Sequence, residues 1–245
     1  MLKTAYKTDV GRVRSVNEDR VVVKDGVAGG TLAIVADGMG GHQAGDTASQ
    51  ITIELVESSL RSAGGELDDE ARKARLVEAI REANAKVFEV ASGKDHYRGM
   101  GTTITAAIAD ATRVLIGHIG DSRAYYINHE SFAQLTEDHT LVNELVKTGQ
   151  LTPDEAAVHP RRNVITRALG TEADVAVDLA YVTWAPGDML LLCSDGLTNM
   201  VPESELTRTV RGEGTLSEKV DRLVEYALDA GGDDNISVVL IQNVP

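Results

Sequence analysis

Cysteine is nearly absent from this sequence of 245 residues, because Cys193 is the only one. A single thiol cannot form an intramolecular disulfide, so the fold must be stable without one. Cys193 ends the apolar run Met-Leu-Leu-Leu-Cys, which predicts a buried structural thiol. Such a protein suits a reducing compartment, and we expect it in the cytoplasm.

Long apolar stretches are also missing. No run approaches the roughly 20 residues that a membrane-spanning helix needs, and the first residues contain no signal-peptide core. We therefore expect a soluble protein without a membrane partner.

Basic residues are outnumbered, with 24 Lys and Arg against 38 Asp and Glu, which gives a formal net charge of -14. A molecule with this charge repels phosphodiester backbones, so no nucleic acid partner is expected. Two explanations of the acidic excess stay open: it keeps the surface soluble, or it gathers carboxylates that hold cations.

Short β-branched runs and longer amphipathic segments follow one another along the chain. The runs predict strands at residues 20–24, 31–36, 103–108, 113–119, 124–127, 175–182, 189–193 and 236–241. Helical spacing predicts helices over 44–62, 69–91 and 216–230, the last capped by Thr215 or Ser217. Because strict alternation of strand and helix is missing, we expect an α+β protein with antiparallel sheets covered by helices.

A single domain is expected over residues 1–245, since mixed α and β domains often reach this length. Residues 138–171 differ from the rest: they are polar, mostly helical in pattern, and interrupt the series of strands. This segment is predicted to be an inserted flap.

Four aspartates share one setting, beside a strand end and next to glycine or a small or polar residue. Asp37, Asp121 and Asp195 follow predicted strands, and Asp234 precedes one. For one such residue alone, an ordinary turn is the simpler interpretation. Four of them indicate carboxylates that converge at the ends of the sheets.

Clustered carboxylates repel one another and are unfavourable to bury unless cations neutralise them. Oxygen ligands without cysteine or paired histidines favour hard ions, so Mg²⁺ or Mn²⁺ is predicted ahead of Ca²⁺, and zinc is disfavoured. The strand-end aspartates are therefore candidate ligands of such an ion.

Arg14 adds a guanidinium close in sequence to Glu18 and Asp19. Its planar fork matches two phosphate oxygens at once, which makes Arg14 a candidate phosphate ligand. A surface ion pair between Arg14 and Glu18 is the alternative interpretation.

These residues form part of a series of motifs that resembles the PPM family, the metal-dependent protein phosphatases of the PP2C type, and in particular its bacterial serine/threonine phosphatases. The motifs are Arg14 with Asn17-Glu18-Asp19, Asp37-Gly38-Met39-Gly40-Gly41-His42, Gly99-Met100-Gly101-Thr102-Thr103, Gly120-Asp121-Ser122-Arg123, Ser194-Asp195-Gly196-Leu197 and Asp234-Asn235-Ile236-Ser237. Each motif is weak alone, but the six follow the family's order over the whole chain. The resemblance implies a four-layer α-β-β-α sandwich with two central, mainly antiparallel sheets and a helical flap.

The resemblance also implies a centre of two metal ions at one end of the sandwich. Asp37 would bridge the ions, the Gly38 carbonyl would bind one, and Asp195 and Asp234 would bind the other. Glu18 would hold metal-bound water. Two further carboxylates complete the implied site, with Asp121 sharing a third, weaker metal site with Asp195, and Asp19 supporting Glu18.

The implied activity is hydrolysis of phosphoserine and phosphothreonine in proteins by a metal-activated water, without a phosphoenzyme. Arg14 and the metals would stabilise the phosphoryl oxygens. His42 is the candidate general acid, and a structural cap of the following helix is the alternative. The sequence departs from animal relatives here, because Met39 stands where their proposed acid follows the glycine.

Phosphorylated proteins are the substrates that the resemblance implies, and a bacterial serine/threonine kinase is the implied partner. Arg161 and Arg162 of the flap are candidates for contact with acidic or phosphorylated substrates, with ordinary surface arginines as the alternative. A monomer is expected because no coiled-coil heptads are evident.

Two rival functions remain. A catalytically inactive phosphatase-fold binding module would be expected to lack a metal carboxylate or Arg14, yet all of them are present. A metal-dependent nuclease or nucleotide hydrolase is disfavoured by the charge of -14 and by the absence of a Gly-x-x-x-x-Gly-Lys-Ser/Thr loop.

Overall fold

The computed structural model describes residues 1–40, 44–62, 67–93, 95–97 and 99–244. In these ranges the strands are β1 (Leu2–Asp9), β2 (Arg20–Val27), β3 (Gly30–Ala36), β4 (Gly38–Met39), β5 (Gly101–Thr102), β6 (Ile104–Ala109), β7 (Arg113–Ile119), β8 (Arg123–Ile127), β9 (Phe132–Gln134), β10 (Asp178–Thr183), β11 (Met189–Cys193) and β12 (Ile236–Asn243). The helices are α1 (Ala44–Ser62), α2 (Asp69–Gly93), α3 (Leu141–Lys147), α4 (Pro153–Ala157), α5 (Asp195–Thr198), α6 (Glu203–Arg211) and α7 (Leu216–Asp229), with a short 3-10 helix at Asp95–Tyr97.

Two sheets of five strands each form the centre of the described structure. Sheet I has the order β1-β12-β11-β8-β9, and sheet II has the order β10-β7-β6-β3-β2. Neighbouring strands in both sheets run antiparallel. A separate short ladder joins β4 to β5.

The inner faces of the two sheets pack against each other through fully buried aliphatic side chains. Sheet II contributes Val35 and Ile116, and sheet I contributes Leu192 and Val239. Since helices cover the outer faces as well, strands such as β6, β11 and β12 are buried along almost their whole length. Their continuous apolar runs in the sequence follow from this double burial.

Helices cover the outer face of each sheet. Helices α1 and α2 pack on sheet II, where a Cβ added at Gly117 of β7 would lie only 2.8 Å from the Cδ1 atom of Ile80. Helix α7 packs on sheet I through Leu223 and Val224. None of the helices in the described ranges is long and apolar enough to span a bilayer. The predicted α-β-β-α layering is confirmed.

Most of the predicted elements are present, with shifted ends. Helix α1 has the predicted bounds, and Thr215 rather than Ser217 caps α7 in a capping box with Glu218. Strand β10 begins at Asp178, later than predicted, and Val175 packs into the core from the preceding loop. Strand β1 and helix α6 were not predicted.

Residues 138–171 are less helical than predicted, because α3 has 7 residues and α4 has 5, and turns or irregular chain make up most of the remainder. Isolated bridges pair Thr140 with Ile165 and Leu169 with Thr102 of β5. This segment, called the inserted segment below after the prediction, lies between β9 and β10, folds back on itself and pairs with β5.

Asp110 ties helix α2 to the turn between β6 and β7. Its carboxylate accepts hydrogen bonds from Arg72 Nη1 at 2.8 Å, Thr112 N at 2.8 Å and Arg113 N at 3.1 Å. The side chains of Arg72 and Asp110 are only 7% and 19% exposed. Burial alone would raise the pKa of Asp110, but these hydrogen bonds lower it to about 2.

The substitution Asp110→Asn is expected to lower the free energy of unfolding near neutral pH by roughly 2–3 kcal/mol, because the buried Arg72 guanidinium loses its counter-charge. A carboxylate with a depressed pKa stabilises the fold fully above its unfolded pKa of about 3.9, and this contribution disappears as the pH falls toward the folded value. In urea unfolding, the difference from wild type should therefore shrink below about pH 4. Asp174→Asn, at an exposed loop position, is the matched control. Equal stability of Asp110→Asn and wild type at neutral pH would contradict this role.

Candidate active site

Two of the strand-end aspartates lie at one edge of sheet II. Asp37 follows β3, and Asp121 follows β7. Both strands are antiparallel to β6, where Thr105 lies opposite both Val35 and His118. Strands β3 and β7 therefore run in the same direction and end at the same edge.

The other two aspartates lie at one edge of sheet I. Asp195 follows β11, and Asp234 precedes β12. Because β11 and β12 are antiparallel, with Cys193 opposite Val238, the end of one strand meets the start of the other.

Hydrogen bonds from the residues before β2 join these two edges. The Glu18 N–H donates to Asn235 Oδ1 at 2.8 Å, and the Ser194 hydroxyl donates to Asp19 Oδ2 at 2.7 Å. Asn235 and Ser194 belong to the edge of sheet I, whereas β2 belongs to sheet II. The carboxylates of both sheets therefore lie at one end of the sandwich.

Asn235 fastens the N-terminal segment to this end. Its Nδ2 donates to the carbonyl oxygens of Val10 at 2.9 Å and Val16 at 3.0 Å. A Cβ at Gly196 would lie 1.9 Å from the Asn235 carbonyl oxygen, so a side chain at position 196 would displace this loop. The sequence does not predict this role; its one signal is the Asp-Asn-Ile-Ser motif.

Backbone contacts hold Asp37 and Gly38 in place. Thr103 Oγ1 accepts from the Asp37 N–H at 3.0 Å, and the Thr103 N–H donates to the Asp37 carbonyl at 2.8 Å. A Cβ at Gly38 would lie 2.2 Å from the Gly45 carbonyl oxygen and 2.6 Å from that of Glu18. Only glycine fits this close approach. Thr103 was not predicted as an organising residue.

Burial and mutual repulsion dominate the electrostatics. Burial raises the pKa of Asp37 well above its usual value, and the charges of Asp19, Asp195, Asp121 and Asp234 raise it further. The pKa of Asp195 is also raised, first by burial and then by the charge of Asp234.

The remaining carboxyls show the same trend. Burial, with a smaller contribution from Asp195, raises the pKa of Asp121 to about 8. Burial raises the pKa of Asp19 to about 7, although hydroxyl hydrogen bonds oppose it. It also raises the pKa of Glu18 against backbone hydrogen bonds that lower it. A positive charge placed at this edge would be stabilised by every one of these groups.

At this edge, three buried carboxylate oxygens have no hydrogen-bond partner among the described residues: Glu18 Oε1, Asp19 Oδ1 and Asp121 Oδ1. No three acidic, histidine or cysteine side chains of the described ranges are already arranged around a single ion position. Asp234, for example, faces Arg14 instead. The donors nevertheless suit a hard cation, because they are oxygens, several are unpartnered, and they repel one another.

Arg14 lies at this edge, with its side chain 51% exposed. Its Nη2 is 2.7 Å from Asp234 Oδ2. Arg14 therefore forms an ion pair, as the alternative interpretation expected, but its partner is Asp234 rather than Glu18. Arg14 keeps an open face toward solvent from which an anion can approach.

The other candidates divide into three groups. His42 lies outside the described residues. Asp233, next to Asp234 in the sequence, is exposed. Arg161 and Arg162 are exposed, and Arg162 lines a cavity of about 570 Å³ whose wall also includes Asp121. The cavity lies between the inserted segment and the acidic edge.

The chain is similar to known proteins over almost its whole length. The family model described as protein phosphatase 2C matches residues 11–238. The serine/threonine phosphatase stp of Listeria innocua is 43% identical over 237 residues, which cover 97% of this chain and 94% of the relative.

Solved structures show the same fold. The serine/threonine phosphatase of S. agalactiae superposes with a TM-score of 0.94 at 38% identity and full coverage of both chains. The catalytic domain of the phosphatase PstP, described in complex with two manganese ions, gives a TM-score of 0.87 at 36% identity over 100% of this chain and 99% of its own. The resemblance and the α+β sandwich predicted from the sequence are thus confirmed, and the chain belongs to the protein phosphatase 2C family.

Proposed function

We propose that this chain hydrolyses phosphoserine and phosphothreonine in proteins with the help of two Mg²⁺ or Mn²⁺ ions held at the acidic edge. The observation that carries the proposal is the convergence of buried and half-buried carboxylates from both sheets, some with unpartnered oxygens. The general prediction of a serine/threonine protein phosphatase is confirmed by the relatives' names. The residue roles below are proposals.

Each carboxylate has a proposed place. Asp37 would serve both ions, the Gly38 carbonyl would hold one, and Asp195 and Asp234 would hold the other. Glu18 would contribute through water. The position of Asp37 between the edges supports this, because its pKa responds to carboxylates from both sheets.

A further, weaker cation site is proposed between Asp121 and Asp195. The unpartnered Asp121 Oδ1 supports it, as does the effect of the Asp195 charge on the pKa of Asp121. Divalent cations at such an edge supply Lewis acidity, which makes a nucleophile available from water near neutral pH and stabilises charge on phosphoryl oxygens.

Water is the proposed nucleophile, and three side chains next to the aspartates are poor alternatives to it. The Ser194 hydroxyl is buried and bonded to Asp19, and the Ser122 hydroxyl is buried 2.8 Å from Thr103 Oγ1. Burial raises the pKa of the Cys193 thiol to about 12, so it stays protonated. A phosphoenzyme is therefore not expected.

Arg14 is proposed to bind the phosphoryl oxygens. Its guanidinium lies beside Asp234, and half of the Arg14 side chain is exposed. One N–H can therefore stay bonded to the carboxylate while others donate to a phosphate. His42 is proposed to protonate the departing seryl or threonyl oxygen.

The proposed setting is the cytoplasm, with phosphorylated proteins as substrates and a serine/threonine kinase as the opposing enzyme. The net charge of -14 supports the absence of a nucleic acid partner, and the buried, unpaired Cys193 suits a reducing compartment. A monomer remains the expectation.

Phosphate release from a phosphothreonine peptide tests the proposal. Chelator-stripped protein should be inactive and should recover turnover when Mn²⁺ or Mg²⁺ is added. Asp195→Ala should reduce this turnover at least a hundredfold, because it removes a ligand on which the cation centre depends. Asp233→Ala, which removes an exposed neighbouring carboxylate, should stay within about twofold of wild type. Intact cation binding without turnover under any condition would instead favour the inactive binding module.

A leaving-group comparison tests His42. His42→Gln should lower kcat for a phosphothreonine peptide by roughly a hundredfold or more, because an alkoxide needs a proton to leave. The same variant should hydrolyse p-nitrophenyl phosphate almost as fast as wild type, since nitrophenolate leaves without one. His129→Gln, in an 87% exposed side chain, is the control. An equal loss on both substrates would remove His42 from the acid role.

A further inference from the structure

The inserted segment begins with a buried histidine to which the proposed mechanism gives no role. His139 is 4% exposed and follows Asp138. Its backbone N–H donates to the Gly120 carbonyl at 2.8 Å, and the Gly120 N–H donates to His139 Nδ1 at 2.9 Å. Two hydrogen bonds therefore join His139 to the residue directly before Asp121.

The partners of His139 determine where its ring carries a proton. Because Nδ1 accepts from a backbone N–H, it must present a lone pair, and the proton lies on Nε2. Nε2 is 3.0 Å from Asp178 Oδ2, so His139 donates to this carboxylate at the start of β10. The His139 ring thus connects the Gly120 peptide to β10, an edge strand of sheet II.

The far end of the segment meets the same carboxylate. Arg167 Nη2 lies 2.8 Å from Asp178 Oδ2, and the guanidinium also contacts the His139 ring. The Thr166 N–H donates to the His139 carbonyl at 2.8 Å. Asp178 therefore holds the first and the last part of the inserted segment together.

The Gly120 peptide has little freedom on its other side. Gly120 has a φ of +112°, and a Cβ there would lie 2.5 Å from Thr103 Cγ2. Asp121 follows with 6% exposure and an Oδ1 that has no partner. Thr103 packs on one side of this peptide and His139 bonds to it from the other, so both determine where the Asp121 carboxylate points.

We propose that His139 is a positioning residue: it fastens both ends of residues 138–171 to the Gly120 peptide and thereby holds Asp121 in the orientation that receives a cation. This inference rests on the proposed cation site at Asp121. The positioning role adds a direct hydrogen-bonded connection between the inserted segment and the cation site at Asp121.

Two amide substitutions at position 139 each keep one hydrogen bond of the histidine ring and remove the other. In His139→Asn, the amide oxygen can replace Nδ1 as acceptor for the Gly120 N–H, while the bond to Asp178 is lost. In His139→Gln, the longer side chain can reach Asp178, while the Gly120 N–H loses its acceptor. A merely structural histidine would make these variants similar.

The readout is Mn²⁺ binding to chelator-stripped protein, measured by electron paramagnetic resonance of the free ion. Asp121→Asn first identifies the binding that depends on Asp121. His139→Gln should weaken that component about tenfold or more, as is usual when a group behind a metal ligand is removed, whereas His139→Asn should stay within about threefold. Asp110→Asn controls for lost stability alone and should bind as wild type does.

The outcomes distinguish this inference from the proposed function. Wild-type protein without Mn²⁺ binding or turnover would overturn both. Normal wild-type turnover with unchanged binding in His139→Gln would overturn only the positioning role. Normal turnover with no Asp121-dependent component would overturn both that role and the cation site at Asp121. If His139→Gln does not fold, His139→Leu decides, because leucine fills the buried space without an acceptor for the Gly120 N–H. Asp121-dependent binding weaker than in His139→Asn supports the inference, and binding equal to that of His139→Asn contradicts it.

Discussion

Repulsion among buried and half-buried carboxylates is the interaction on which the active end of this protein depends. The register of two antiparallel sheets brings Asp37 and Asp121 to the same end of the sandwich as Asp195 and Asp234. Burial and neighbouring charge raise the pKa of Asp37, Asp121 and Asp195, so the fold opposes full ionisation of the groups that it gathers. Without a cation, this repulsion lowers the free energy of unfolding. A bound cation relieves the repulsion, so the same groups that lower stability favour cation binding.

The rest of the structure stabilises the fold against this repulsion. The aliphatic core between the sheets keeps the strand ends in register, and the helices bury the outer faces. Close to the site, positioning depends on polar groups and glycines instead. Asn235 and Ser194 connect the two edges, Thr103 holds the Asp37 backbone, and Gly196 leaves room for the chain beside it.

Sequence patterns predicted the features that depend on residues close together in the chain. The amphipathic repeat of α1 was sufficient to place its bounds, and the strand-end aspartates indicated the acidic edge before any geometry. Strand β1 was missed because its pairing partner, β12, lies at the opposite end of the chain. The alternative interpretation of Arg14, an ion pair with Glu18, named the wrong carboxylate for the same reason: the partner in the structure, Asp234, is 220 residues away. Connections such as His139 to Gly120 leave no periodic trace in a sequence.

Thermal unfolding of wild type and Asp37→Asn, each with chelator and with Mn²⁺, tests the central claim most directly. If repulsion at this end limits stability, Asp37→Asn should unfold at a higher temperature than wild type in chelator, by roughly 2–4 °C for each kcal/mol of relief. Mn²⁺ should raise the midpoint of wild type and leave that of the variant nearly unchanged. A variant that is less stable than wild type in chelator, or that responds to Mn²⁺ as wild type does, would contradict the account.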